Sequence, residues 1–113
     1  MIYPLETRVR VEDGTAVIDL HGEIDALGET SLNEAYQKAE QAKPAAIMLN
    51  FQEVDYINST GIALIVGLLA QARKSHIRLV VFGLSEHYQE IFRITRLSDF
   101  MQIYSDERSA LAG

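Results

Sequence analysis

Cysteine is absent from this 113-residue chain, which excludes a disulfide framework and any thiolate metal site. Long apolar runs are absent as well. The longest, Gly61 to Ala70, falls far short of the roughly 20 residues that span a bilayer, so no membrane insertion is expected. The opening residues Met1-Ile2-Tyr3-Pro4-Leu5-Glu6 carry neither a basic nor an apolar leader segment. No export signal is therefore expected, and the expected location is the cytoplasm. Cations are scarce: 10 Lys and Arg against 16 Asp and Glu give a net charge of −6, which argues against non-specific binding to nucleic acid. The few basic clusters, Arg73-Lys74 and Arg93 with Arg96, read as helix-end charges and solvated faces. Repeats, linkers and low-complexity segments are missing too. What remains is a composition of 48% hydrophobic and 23% charged residues, ordinary for one globular domain over residues 1–113. A domain of this size buries about 65% of its unfolded surface.

Several catalytic patterns are also missing. A serine hydrolase of the Gly-x-Ser-x-Gly type needs glycine two residues before the nucleophile, and Ile57 stands there before Ser59. The histidines, His21, His76 and His87, offer no evident route to that serine, except His21 near the same edge. A phosphate-binding Gly-x4-Gly-Lys loop is excluded, because Gly61 and Gly67 are wrongly spaced and no lysine follows. His21-x-Glu23-x-Asp25 could line three ligands along one side of an extended segment. A solvated turn whose acid caps the next helix has the same pattern, and neither metal nor cofactor is expected. An enzymatic role has no support.

The segments that are present alternate between strand and helix. Thr7 to Val11 reads as an edge strand, Asp13-Gly14 as a hairpin turn, and Ala16 to Leu20 as a deeper return strand. Gly22-Glu23-Ile24-Asp25 is expected to break that strand. A helix from about Leu27 or Gly28 to Lys43 carries the stripe Leu32, Ala35, Tyr36, Ala39 and Ala42, and Pro44 ends it. Ala45 to Leu49 reads as a strand covered on both faces, the mark of a parallel sheet. From Thr60 to about Ser75 runs a helix that is apolar nearly all round at first. Full burial is the favoured reading, and an exposed apolar face beside Ser59 is the alternative. Ile77 to Phe82 is a further buried strand. Ser85 caps a short helix with Tyr88, Ile91, Phe92 and either Ile94 or Thr95 inward. A turn at Leu97 to Phe100, a short strand at Met101 to Tyr104 and a helix opened by Ser105-Asp106-Glu107-Arg108 complete the chain. Tyr36, Tyr56, Tyr88 and Tyr104 read as packed core edges. The sum is an α/β domain with a mixed, four- to five-stranded sheet and parallel crossovers.

The turn Asp55-Tyr56-Ile57-Asn58-Ser59-Thr60-Gly61 joins a strand to a helix N-terminus. Such a terminus offers unpaired N–H groups and partial positive charge, where a phosphate is stabilised. Ser59 reads either as the acceptor of a reversible phosphoryl group or as a plain helix N-cap, worth about 1 kcal/mol. Both turns fall at carboxyl ends of strands, where sites in layered α/β folds gather.

Taken together, Gly22-Glu23-Ile24-Asp25 and Asn58-Ser59-Thr60-Gly61, in this order of elements, resemble the STAS domain in its stand-alone form, the bacterial anti-sigma factor antagonists. The resemblance covers about Leu5 to Leu111. It implies the STAS fold and a partner-switching role in transcription regulation. The unphosphorylated form would bind an anti-sigma factor that is also a serine kinase of the histidine-kinase-like ATPase fold, which frees a sigma factor. Phosphorylation would end that complex, and a PP2C-type phosphatase would reset it. The family's phosphoserine falls on Ser59, with Thr60 a secondary acceptor. The partner surface would comprise Glu23, Asp25, Asp55, Asn58, Ser59, Thr60, Gly61 and Leu64. Asn58 departs from the family's usual aspartate, keeping its size and hydrogen-bonding role but not its charge. The resemblance also admits a non-phosphorylated docking subunit, on the ATPase of a lipid-transport ABC complex or in a stress-sensing assembly. The free protein is expected to be a monomer.

Overall fold

The computed structural model describes residues 4–113; the reading of Met1 to Tyr3 as free of an export signal lies outside them. The elements follow in the order β1 (Glu6–Glu12), β2 (Thr15–Ile24), a 3-10 turn (Ala26–Gly28), α1 (Glu29–Gln41), β3 (Ala46–Ile57), α2 (Ser59–Lys74), β4 (Arg78–Phe82), α3 (Glu86–Ile94), a 3-10 turn (Leu97–Asp99), β5 (Gln102–Tyr104) and α4 (Glu107–Ala112). The five strands lie in the sheet in chain order, with β1 antiparallel to β2 and every later neighbour parallel. Right-handed crossovers that always step in one direction put every crossover helix on one face. That face holds the main core, where Ile18, Leu49 and Val81 of the sheet meet Tyr36 of α1, Ile65 and Leu68 of α2 and Phe92 of α3. On the opposite face α4 closes a smaller core through Ala110 against Val17, Met48, Val80 and Phe82.

Beside that smaller core a polar cluster fastens the C-terminal helix to the sheet. Arg10 donates to both carboxylate oxygens of Asp19 at 2.7 and 3.0 Å, and to both of Glu107 at 2.8 and 3.1 Å. Asn50 adds a third donor to Asp19 at 2.8 Å. Bonding to Asp19 and Glu107 holds the guanidinium well above its ordinary pKa, and the same bond from Arg10 holds the Asp19 carboxyl below its own. Glu107 therefore makes a tertiary ion pair in addition to favouring the α4 dipole.

Several expectations are corrected. Gly22 to Ile24 does not break β2, which continues through them with shifts of register against β3. β3 likewise runs on to Ile57, well past Leu49. Ala42 is exposed just beyond α1, because its C-terminal turn clears the sheet. Ile94 and Thr95 both point to solvent at the end of α3. Tyr56 is 52% exposed and is not a packed core edge. Finally, α2 is not fully buried: Gly61, Ile65, Leu68, Leu69 and Ala72 face the core, while Ala63, Val66, Gly67 and Ala70 lie exposed. Helices on one side of an open sheet keep an outer face unless a further layer covers it.

Candidate functional site

The two polar turns meet because β2 and β3 stay paired to their carboxyl ends. Glu23 lies beside Tyr56 and Ile24 beside Ile57, and the Asn58 N–H donates to the Ile24 carbonyl at 3.2 Å. Between the pairs Gly22–Val54 and Glu23–Tyr56, Asp55 is an extra residue without a partner on β2. A bulge of this kind bends its strand and re-aims the following side chains.

The chain then turns sharply into α2. Asn58, extended at φ −91° and ψ −177°, is the N-cap; its side-chain oxygen accepts from the Gly61 N–H at 2.8 Å. Ser59 is thus not the cap, as one reading of the sequence had it, but the first helical residue. Ser59 is exposed, and its hydroxyl is not consumed by capping. Thr60, also exposed, follows as the second helical residue. Gly61 is buried against the β2 end so tightly that a Cβ there would lie 2.0 Å from the Ile24 carbonyl oxygen. Only glycine lets α2 start this close to the strand. From the other side, the Tyr88 hydroxyl of α3 accepts from the Ile57 N–H at 2.9 Å. β4 pairs with β3 only as far as Asn50, so Tyr88 serves a strand group that β4 does not reach.

The remaining predicted residues line the same edge. Asp25 caps the 3-10 turn by accepting from the Leu27 N–H at 3.0 Å. Glu23, Asp25, Asn58 and Leu64 are half-buried, and Asp55 is exposed. Sequence reasoning missed Leu27, which is 76% exposed on the turn after Asp25, and the exposure of Tyr56. An apolar residue stranded among turn residues was the available signal for Leu27. Among the described residues no three His, Asp or Glu side chains gather into a metal-ligand set, and no helix is long and apolar enough to cross a membrane. Strands in consecutive order leave no reversal point, the place where doubly wound sheets open a cofactor crevice.

Fold and site together define an α/β domain that presents an exposed, asparagine-capped helix N-terminus at the carboxyl edge of a sequential mixed sheet. Comparison with known proteins supplies the family. The STAS domain profile matches residues 6–110, and the chain belongs to that family. It is 35% identical over 86 residues to the anti-sigma-B factor antagonist of Listeria monocytogenes, covering 76% of this chain and 75% of that protein. In fold it is similar to an anti-sigma factor antagonist from Mycobacterium paratuberculosis, with a TM-score of 0.83, 21% identity and coverage of 96% of this chain and 92% of that one. It is also similar to the anti-sigma factor antagonist SpoIIAA in its unphosphorylated form, with a TM-score of 0.73, 17% identity and coverage of 95% and 94%.

Proposed function

We propose that this protein is an anti-sigma factor antagonist that works by partner switching in the cytoplasm, with Ser59 as the phosphorylated residue. Unphosphorylated, it binds an anti-sigma serine kinase of the histidine-kinase-like ATPase fold and so frees a sigma factor. The kinase phosphorylates Ser59 and the complex ends; a PP2C-type phosphatase restores the binding form. The names of its curated relatives support the role, as does a SpoIIAA structure described as the phosphorylated form.

The observation that carries the reading is the division of labour at the α2 N-terminus: Asn58 makes the cap, and Ser59 presents a free hydroxyl to solvent. A phosphate on Ser59 adds about −1.5 to −2 charges. Next to the unpaired N–H groups of the first turn, that charge is compatible with the fold. The surface is already acidic, with Glu23, Asp25 and Asp55 on the strand ends feeding the turn. A partner docked there on Leu27, Tyr56, Thr60 and Leu64 loses apolar contact and gains repulsion. Binding changes, and stability does not.

The test is a pull-down from native lysate with wild-type, Ser59→Ala and Ser59→Asp bait, read by mass spectrometry. A histidine-kinase-like serine kinase should be held by the first two and lost by the third, and ATP should add one phosphate to wild type alone. The exposed apolar face of α2 favours one second reading, a non-phosphorylated docking subunit. A transporter ATPase held equally by all three baits would establish that reading and end the switch.

A further inference from the structure

Two basic positions that read in the sequence as separate solvated charges, Arg73 and Arg96, meet at one groove. It lies between α2 and the segment that follows α3, with a volume of about 330 Å³. α2 contributes Val66, Leu69 and Ala70; the other wall contributes Leu97 and Phe100. Leu69 and Leu97 are buried and form the floor, while Val66 and Phe100 stand 45% and 56% exposed. A single exposed apolar side chain is ordinary, but several gathered into a concave surface mark a contact.

The charges at this groove are of one sign. Arg73 lines it from α2 and Arg96 from the opposite wall. No carboxylate lines it, although Asp and Glu outnumber Lys and Arg by 16 to 10 in the chain. Arg73 lies over the Phe100 ring at 5.3 Å, which holds it against the apolar wall. It forms no ion pair among the described residues. Arg96 pairs with Asp99 at 2.8 Å, but both side chains are largely exposed, and a pair of that kind is weak and exchanges readily. The Arg96 backbone is left-handed, with φ 68°, at a turn where glycine or asparagine fits with less strain. An arginine there is accounted for by its side chain and not by the turn.

We infer that the groove docks an acidic amphipathic helix of a partner protein. Two apolar residues one turn apart would seat between Val66 and Phe100, with a carboxylate to each side for Arg73 and Arg96. Val66, Leu69, Ala70 and Arg73 have the i, i+3, i+4, i+7 spacing of one helix face, so the groove follows α2 for about 10 Å. That length matches two anchors three or four positions apart on the incoming helix. Each guanidinium presents paired N–H donors that suit a carboxylate. A fatty acid fits less well. It brings one carboxylate to two guanidiniums, and sites for small ligands enclose about 70–90% of their occupant, whereas this groove has two walls.

The groove is separate from the proposed switch and does not depend on it. Its centre near Leu69 lies about 15 Å along α2 from Ser59, beyond the screening length of about 8 Å at physiological salt. Two anchors bury far less than a standard interface, so the contact is weak, with a Kd of about 50–500 µM.

The test selects from a displayed library of random peptides of about 12 residues and maps the selected peptides on the isotope-labelled chain by NMR. Those retained should carry two apolar residues three or four apart with Asp or Glu beside them, and should shift the amides of Val66, Ala70, Arg73 and Phe100. Arg73→Glu should weaken them about tenfold and Phe100→Ala about fivefold or more. Arg96→Gly should weaken them about fivefold while Tm stays level or rises, because the turn is relieved, an outcome that a merely structural arginine would not give. Ser59→Asp should change binding by less than about twofold. Peptides with a basic or uncharged consensus would overturn the inference, as would none retained, shifts confined to Glu23, Tyr56 and Ser59, or binding unmoved by both arginine substitutions. Decanoate that shifts the groove amides at lower concentration than any peptide would assign the groove to an acyl chain and would also overturn it.

Discussion

A methyl group added at Gly61 would lie 2.0 Å from the Ile24 carbonyl oxygen, 2.8 Å from the carbonyl carbon and 2.9 Å from Ile57 Cγ2. The first two are backbone atoms of β2, held between β1 and β3, so no side-chain rotation relieves them. A carbon sits comfortably about 3.3 Å from a carbonyl oxygen, so the start of α2 would have to move outward by more than about 1 Å. That movement breaks the Asn58 cap, worth about 1 kcal/mol. It also disturbs the packing of Ile57 and Ile65, and overpacking of this kind costs about 1–3 kcal/mol. Gly61→Ala should therefore cost about 2–4 kcal/mol, a fall in Tm of about 10–20 °C. The same substitution two turns on gives the opposite sign: a methyl at Gly67 meets nothing within 4 Å. Gly67→Ala should stabilise the protein by about 0.5–1 kcal/mol through helix propensity and a less flexible unfolded chain. Urea unfolding followed by circular dichroism measures both. A Gly61→Ala protein within about 1 kcal/mol of wild type would refute the close approach of α2 to the β2 end.

Three further outcomes follow from groups outside the turn itself. Tyr88→Phe leaves the buried Ile57 N–H without its acceptor and should cost about 1–3 kcal/mol, with faster amide exchange at Ile57 and Asn58 than elsewhere in the sheet. The Asp19 carboxyl is held below its ordinary value of 3.8 by the Arg10 guanidinium first, against the opposing effect of burial, and then by the Asn50 amide. Its folded pKa is depressed, so its stabilisation is complete above about pH 4 and is lost as pH falls through the folded value; Asp19→Asn should flatten that acid limb and leave α4 frayed. The Tyr36 hydroxyl is buried without a partner, and burial, with a smaller push from Glu40, raises its pKa to about 12. Tyr36→Phe should gain about 0.5–1 kcal/mol at neutral pH and reduce the loss of stability between about pH 10 and 12, where the unfolded chain ionises first.

The order of elements was legible because each carries its own period and punctuation. Asp13-Gly14, Pro44, Gly83 and Ser85 mark boundaries that the structure keeps, and the apolar runs of β3 and β4 read as parallel and buried. The distal halves of β2 and β3 were not legible. Gln52-Glu53-Val54-Asp55-Tyr56 is polar and irregular, and the register shifts that accommodate it destroy the alternation by which a strand is recognised. The open side of α2 was hidden for another reason. Ala63, Gly67 and Ala70 are neither polar enough to mark solvent nor large enough to mark core, so only the tertiary arrangement shows which way they face. The Arg10–Glu107 pair spans 97 positions of sequence, and no local pattern foretells it. In the site, residue types and spacing located both turns. Which side chain caps α2 was decided by an extended backbone at Asn58, one residue earlier than a serine cap would require.

That one-residue difference bears on what Asn58 does in place of the family's usual aspartate. Asn and Asp are equally good caps, since each offers a side-chain oxygen to the Gly61 N–H, so the amide costs the helix little. What the amide removes is one negative charge immediately before Ser59. At a helix N-terminus, an anion is favoured until a second one competes for the same few N–H groups. With Asn58 neutral, the first turn of α2 meets a single incoming charge, and the local cost of a phosphate on Ser59 is lower than it would be beside a carboxylate. Asn58→Asp should thus leave the stability of the unmodified protein within about 0.5 kcal/mol and destabilise only a Ser59→Asp or phosphorylated form. A double-mutant cycle over Asn58→Asp and Ser59→Asp, read by urea unfolding, isolates that coupling. A coupling of zero would mean that the two side chains do not share the helix terminus and that the cap leaves no electrostatic mark on the neighbouring hydroxyl.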